Sequence, residues 1–387
     1  MAELGIAAHE SAVTAAWLFW LSIALVAYTY LGYPLLARAL ARRIGSTPHA
    51  GTDSPPLTVV IPVHNEQGRI GERIRDVLAQ DYPAPLRVLV ACDGSDDDTA
   101  RIAAGIDPRV TVLDLPQRRG KAAALNDALA KAETELVAFT DARQRFAPGA
   151  LQALAGWFAD DSIGAVSGSL EIAPSAGHGA ATGVGLYWRL EKQLRRDEAR
   201  LGWLHGVSGS IHAVRRALFR PLPADTILDD MWIPMQVLLS GHRVWMTDSA
   251  VAFDQASGSA REEFDRKLRT LAGNWQLLAR LPVLLHPRRN PVFFAWCSHK
   301  LLRLIAPWLL LAALVSSALA PGPFYRFALV AQLAAYVVAV AALRWPRAAA
   351  RIPLLPAAGT FLMLNLAALL ALPASLAWHP SRLWKKH

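Results

Sequence analysis

Apolar and polar positions follow two different patterns along this chain. From Ser11 to Ala37 no ionisable side chain other than tyrosine occurs, and three further uncharged runs lie near the other end: Leu304–Tyr325, Phe327–Leu343 and Ile352 to about Trp378. A helix rises about 1.5 Å per residue and a bilayer core is about 30 Å thick, so each run predicts a membrane-crossing helix. The first run does not read as a cleaved leader. A leader has an apolar region of only about 7–15 residues behind a positive start, whereas here Glu3 and Glu10 come first and the basic cluster follows.

Between these runs the period shortens. Runs at Leu57–Ile61, Arg87–Ala91, Val110–Leu113, Leu136–Thr140 and Gly164–Gly168, bounded by Pro, Gly or Asp, predict buried strands. Helical patterns over 68–80, 97–104, 121–132 and 148–159 separate them, the rhythm of an α/β domain. No internal repeat of fixed period is visible. The expected organisation is a transmembrane helix with its basic flank over 1–43 and an α/β domain over 44–260. Amphipathic interfacial helices over 261–303 and a bundle of membrane helices over 304–387 complete it.

Composition supports a membrane protein: 53% of the 387 residues are apolar and 18% charged, against about 25% charged in soluble domains. Two cysteines, Cys92 and Cys297, fit a reducing compartment and make neither a disulfide framework nor a zinc site. The net charge of +9 has a location, in Arg266, Lys267, Arg269, Arg280, Arg288, Arg289, Lys300 and Arg303, interleaved with Leu, Trp and Phe. That pattern predicts helices lying on membrane lipids rather than a nucleic-acid face. By the positive-inside rule, Arg38, Arg42 and Arg43, and again Arg344, Arg347 and Arg351, belong in the cytoplasm, with the N-terminus outside. Four crossings would leave Arg382, Lys385 and Lys386 outside against the same rule, so one apolar run lying in the interface or re-entering stays open.

Candidate chemistry sits at the strand exits. IPVHNE (Ile61–Glu66), CDGSDDDT (Cys92–Thr99) and FTDARQRF (Phe139–Phe146) follow the first, second and fourth predicted strands, where open α/β sheets bind ligands. One Asp-Gly exit alone would be an ordinary turn. Together with RRGKAAALN (Arg118–Asn126), LDD (Leu228–Asp230) and RTLAGNWQ (Arg269–Gln276), these segments resemble membrane-bound family 2 glycosyltransferases of the cellulose-synthase and hyaluronan-synthase type, over about Pro56–Gln276. The resemblance implies a GT-A, Rossmann-like nucleotide-sugar domain between an N-terminal transmembrane helix and a C-terminal membrane bundle. It also implies inverting transfer of a sugar from a nucleoside-diphosphate sugar to an acceptor hydroxyl.

Individual residues carry this implication as follows. Pro62 ends the first strand, and Asn65 with Glu66 by resemblance holds the nucleoside, a capped helix start being the alternative. Asp93 offers a carboxylate suited to a uracil imide N–H, and Gly94 lets the base approach closely, which favours a UDP-sugar. Gly120 and Lys121 open a helix, a place that favours an anion, and match the family's loop near the nucleotide; a solvated surface lysine is the alternative. GT-A sites usually carry Asp-x-Asp on a divalent cation, Mg2+ or Mn2+; here Asp141 matches the first Asp and Arg143 replaces the second. An arginine cannot ligate a cation. Either Asp141 holds the metal with water and phosphate, or Arg143 shares the charge neutralisation, or Arg143 turns away to a neighbouring acid. Strict metal dependence is therefore in doubt.

On the acceptor side, the resemblance assigns Gly206, Ser208 and Gly209 to the wall of a sugar site, although a tight turn would use the same glycines. Asp229 and Asp230 match the Glu and Asp of the family's Thr-Glu-Asp motif, which makes Asp230 the general base; two acids at a helix start are also ordinary caps. Arg269 aligns with the arginine of the family's Q/R-x-x-R-W segment and would compensate the departing diphosphate. Thr270 stands where the family's Trp should be, which weakens the case for a long-chain polymerase; Trp275 is the candidate replacement platform, an anchor of the helix at the membrane interface being the alternative. His64, His205 and His212 are scattered and default to core or surface roles.

The whole predicts a multi-pass enzyme of a cell inner membrane with a cytoplasmic catalytic domain and a lipid-linked or polysaccharide acceptor. Single addition and polymer synthesis with export both remain, although Asn365, Gln332 and a few hydroxyls are all that could line a channel. Arg143 and Thr270 also motivate a non-catalytic alternative, a nucleotide-sugar-binding subunit of a polysaccharide assembly complex. A soluble nucleotidyltransferase would leave the basic interfacial helices without a purpose.

Overall fold

The computed structural model describes residues 2–173, 183–255 and 260–377. Helix α1 (Ala2–Ala27) continues through a π-helical turn at Tyr28–Gly32 into α2 (Tyr33–Ile44). His9–Ile44 is long and apolar enough to cross a membrane. It outruns the expected span because Arg38, Arg42 and Arg43 extend the helix instead of ending it.

The α/β domain then unfolds in order: β1 (Leu57–Val63), α3 (Ile70–Leu78), β2 (Leu86–Asp93), α4 (Thr99–Ala104), β3 (Val110–Leu115), α5 (Lys121–Lys131) and β4 (Leu136–Phe139). Next come β5 (Arg145–Phe146), α6 (Ala150–Ala155), β6 (Ile163–Ala173), α7 (Gly183–Arg200), β7 (His212–Arg215), α8 (Asp229–Leu239) and β8 (Arg243–Gln255). The eight strands form one sheet in the order β3-β2-β1-β4-β7-β6-β8-β5. Strands β1 to β4 are mutually parallel, and β7 runs antiparallel between β4 and β6. All seven residues of β1 are buried, as a central parallel strand requires. Pro62 pairs opposite Ala91 within β1 rather than ending it. Because β1 has β2 on one side and β4 on the other, the strand order reverses at β1, and a crevice opens beyond its carboxyl end.

All five predicted strands are present, and β5, β7 and β8 are additional to them. Thr247, Asp248 and Ser249 interrupt the apolar pattern of β8, and the β6–β8 register is shifted in two places, so no clean run exists to read.

Helix α9 (Ala260–Arg280) is the expected amphipathic helix, with α10 (Phe293–Trp296) after it. The rest of the 261–303 expectation needs correction. A π-helical turn at Cys297–Leu301 joins α10 directly to α11 (Leu302–Leu319), giving a candidate crossing over Phe293–Leu319 that contains Lys300 and Arg303. Arg303 lies there because Glu191 of α7 meets its Nη1 at 2.7 Å. Helices α12 (Pro323–Arg344), α13 (Pro346–Ala349) and α14 (Leu355–Ala377) follow, α12 and α14 being the other two candidate crossings. Helix α14 packs on α9 and α7 as well as on α11 and α12. The tail with Trp378, Arg382, Lys385 and Lys386 lies outside the described residues. The two expected channel-lining amides join helices instead: Tyr30 Oη donates to Asn365 Oδ1 at 3.4 Å, and Gln332 Nε2 to Ser317 Oγ at 3.1 Å.

Candidate active site

Two loops close one end of the crevice. At the exit of β1, Asn65 takes the left-handed φ of 55°. Its N–H donates to Ser95 Oγ at 3.1 Å, and its Oδ1 accepts from the Asp96 N–H at 3.0 Å. The N–H of Glu66 donates to Thr99 Oγ1 at 2.8 Å, and its carboxylate accepts from Arg69. Asn65 is thus spent on tying the first loop to the second.

Asp93 requires a correction. Its carboxylate is fully buried, with Oδ1 accepting from the Arg119 N–H and Oδ2 from the Gly120 N–H, both at 2.7 Å. Neither oxygen faces outward to a base, because the carboxylate orders the turn ahead of α5. Gly94 has φ 60°, and a Cβ there would collide with the backbone N of Arg118. Gly120, at φ 96°, precedes the first residue of α5. Nearby Asn126 is also structural, exchanging hydrogen bonds with the backbone of Leu222.

That turn delivers Lys121 into the crevice. Its Nζ lies 3.1 Å from Asp141 Oδ1, at the exit of β4, and 3.2 Å from Asp229 Oδ2, at the start of α8. Burial alone would lower the Lys121 pKa, but the carboxylates of Asp141, Asp229 and Asp230 outweigh it and keep the ammonium charged. Burial would likewise raise Asp141; Lys121, with the more distant charges of Arg143 and Arg269, holds it below the usual carboxylate range.

Asp230 behaves oppositely. Burial and the adjacent Asp229 push it up to about 6, against the pull of Lys121, Arg195 and Lys300. Its carbonyl accepts from the Val207 N–H at 2.9 Å, which binds the Gly206–Gly209 loop to the start of α8. A methyl group added at Gly209 would sit 3.5 Å from Asp230 Oδ2, and one at Gly206 would strike Met231 Sδ at 2.5 Å. The N–H of Ser208 donates to Ser167 Oγ at 2.9 Å. Helix α9 reaches the same place from outside: Gln276 bonds the backbone of Asp225 and Ile227, just ahead of Asp229. Trp275 is half-buried, and its indole N–H has no hydrogen-bond partner among the described residues.

Arg143 takes the third of its expected courses. Its Nη2 lies 3.4 Å from Asp254 Oδ2 on β8, which also accepts from Gln144 Nε2 at 2.9 Å. A pocket of about 140 Å³ is lined by Arg69, Glu72, Arg73, Arg143 and Arg145. Of the two positions of the Asp-x-Asp spacing, 141 alone carries a carboxylate. That suffices for an ion whose other ligands are phosphate and water, so the residues fit a divalent cation brought in with a nucleotide sugar.

Of two further residues in this neighbourhood, Arg195 escaped the sequence reading and His212 takes the core role that was its default. Arg195 of α7 donates to the Gly206 carbonyl at 3.2 Å, and nothing in a charged helical run singles it out. His212 stacks on Phe139 with ring centroids 4.7 Å apart, donates from Nδ1 to the Ser208 carbonyl at 2.8 Å, and leaves Nε2 buried without a partner among the described residues. Burial lowers its pKa to about 4, so the ring is neutral.

Residues 58–222 match the family described as Glycosyl transferase family 2. The chain carries a family 2 glycosyltransferase domain. Its GT-A fold accords with a mannosyltransferase from Pyrobaculum calidifontis solved with GDP-Man and Mn2+: TM-score 0.71, 26% identity, 93% of this chain and 99% of that one. Among curated relatives, an N-acetylglucosaminyltransferase of Sinorhizobium fredii is 27% identical over 226 residues, 54% of each chain. The succinoglycan biosynthesis protein ExoU of Rhizobium meliloti is 34% identical over 114 residues, 28% of this chain and 33% of the relative. The chain spans about half the length of the first N-acetylglucosaminyltransferases it matches. In the family 2 domain of this chain, the Lys121 contacts join Asp141 at the exit of β4 to Asp229 at the start of α8.

Proposed function

We propose that this protein transfers a sugar with inversion from a nucleoside-diphosphate sugar to an acceptor hydroxyl on a lipid-linked or polysaccharide substrate, at the cytoplasmic face of an inner membrane. The observation that carries the reading is Lys121 within 3.2 Å of both Asp141 and Asp229, next to an Asp230 raised to about 6. Asp230 would take the acceptor proton at Oδ2, beside the space left by Gly209, and its pKa leaves it a carboxylate at neutral pH. Lys121 and Arg269 would stabilise charge growing on the leaving diphosphate. A divalent cation held by Asp141 would neutralise further charge on the leaving group.

With Asp93 committed to its loop, uridine loses the residue that favoured it, so the donor base must be decided by assay. The helix-joining roles of Asn365 and Gln332 favour single addition over export through a channel. Purified protein is assayed for nucleoside-diphosphate release from UDP- and GDP-sugars, with membrane lipid extract as acceptor and with Mn2+ or EDTA. Release from one donor that Asp230→Asn abolishes supports the transferase reading. Release unaffected by Asp230→Asn would remove Asp230 as the base, and none from any donor would move the protein to the non-catalytic subunit reading.

A further inference from the structure

A second cluster of ionisable groups lies away from the crevice, where α7 meets the helices leading into the membrane. His205 and His299, assigned no role by the sequence, come together there with ring centroids 5.2 Å apart. Single ligand atoms of Glu198, His205 and His299 lie within 4.8 Å of one another, and all three residues are buried.

The surroundings of each group are those of a metal ligand. His205 Nδ1 donates to the Trp203 carbonyl at 3.0 Å, which fixes the tautomer and leaves the lone pair on Nε2. His299 faces Glu198 Oε1 through Nδ1 at 2.8 Å and Glu191 Oε1 through Nε2 at 2.9 Å, and Glu191 is held by Arg303 at 2.7 Å. A carboxylate behind the second nitrogen of a ligating histidine is the usual outer support. Tyr33 Oη donates to Glu198 Oε1 at 2.7 Å, while Glu198 Oε2 is buried with no partner among the described residues. His299 Nδ1 and Glu198 Oε1 are 2.8 Å apart, a hydrogen-bond separation; two tetrahedral ligands each about 2.0–2.2 Å from one ion are about 3.4 Å apart, so the pair parts by about half an ångström to admit an ion.

We propose that Glu198, His205 and His299 form a site for a divalent transition-metal ion of the zinc class, separate from the cation position at Asp141. Two imidazoles and a carboxylate suit such an ion and do not suit Mg2+ or Ca2+. Binding displaces the proton shared between His299 Nδ1 and Glu198 and releases it to solvent. The ion would tie α7 of the catalytic domain to the π-helical turn entering α11.

The test uses the full chain, purified in detergent without a histidine tag, stripped with chelator and titrated with Zn2+, then with Co2+ for its visible absorption. The expected result is about one tightly bound equivalent, unchanged in Asp141→Asn and lost in His205→Ala. Glu191→Gln keeps a hydrogen bond to His299 and is expected to weaken binding about 10–100-fold, and it decides the matter if His205→Ala does not fold. The proposal is overturned by no stoichiometric binding to wild type, by binding that Asp141→Asn removes, or by undiminished affinity in His205→Ala or Glu191→Gln.

Discussion

The ammonium of Lys121 lies 3.2 Å from Asp229 Oδ2, joining the start of α5 to the start of α8. Through this pair a positive charge also reaches Asp230, where it opposes the rise caused by burial and by Asp229. Lys121→Met should therefore raise the Asp230 pKa. The acid limb of residual kcat/KM should move to higher pH by about one unit. A pH profile of the variant beside wild type reads this, and an unmoved limb would show that the two groups are not coupled.

For wild type, the base must be deprotonated to act, so activity should be full above pH 7 and fall as pH drops through about 6. Asp230→Asn should lower kcat by about 10²–10⁴-fold, the usual share of a general base, and remove the limb. Size-exclusion elution in detergent checks that the variant remains folded.

Arg143 faces Asp254 rather than a cation. Arg143→Asp would restore two carboxylates at the Asp-x-Asp spacing and should lower the Mn2+ concentration for half-maximal activity by about tenfold. A metal titration of initial rates measures it. An unchanged midpoint would mean that position 143 points away from the ion whatever its side chain.

Topology follows from the basic loops. In a Cys297→Ala background, a cysteine at Arg347 should react with an impermeant maleimide only once the cytoplasmic face is opened. One at Pro321, between α11 and α12, should react from outside. The reverse pattern would put the catalytic domain on the other side.

Periodicity alone determined part of the architecture of this protein: five of the eight strands with helices between them, and long uncharged runs at both ends. Backbone hydrogen bonding and burial act locally and leave a period of 2 or 3.6 in the sequence. Asp141 was legible for a related reason, since strand exits recur at fixed places in an open sheet, whereas Asp229 and Asp230 stood out only through the resemblance to the family's Thr-Glu-Asp motif. What a carboxylate does there was not legible. Asp93 and Asp141 look alike in sequence, yet one is consumed by two backbone N–H groups and the other is held by a lysine. Arg143 chose Asp254, a residue on a strand with no clean pattern. His205 and His299 meet only because α7 and the entry to α11 pack together. Such pairings depend on which distant segments share a low-dielectric interior, and tertiary packing alone decides that.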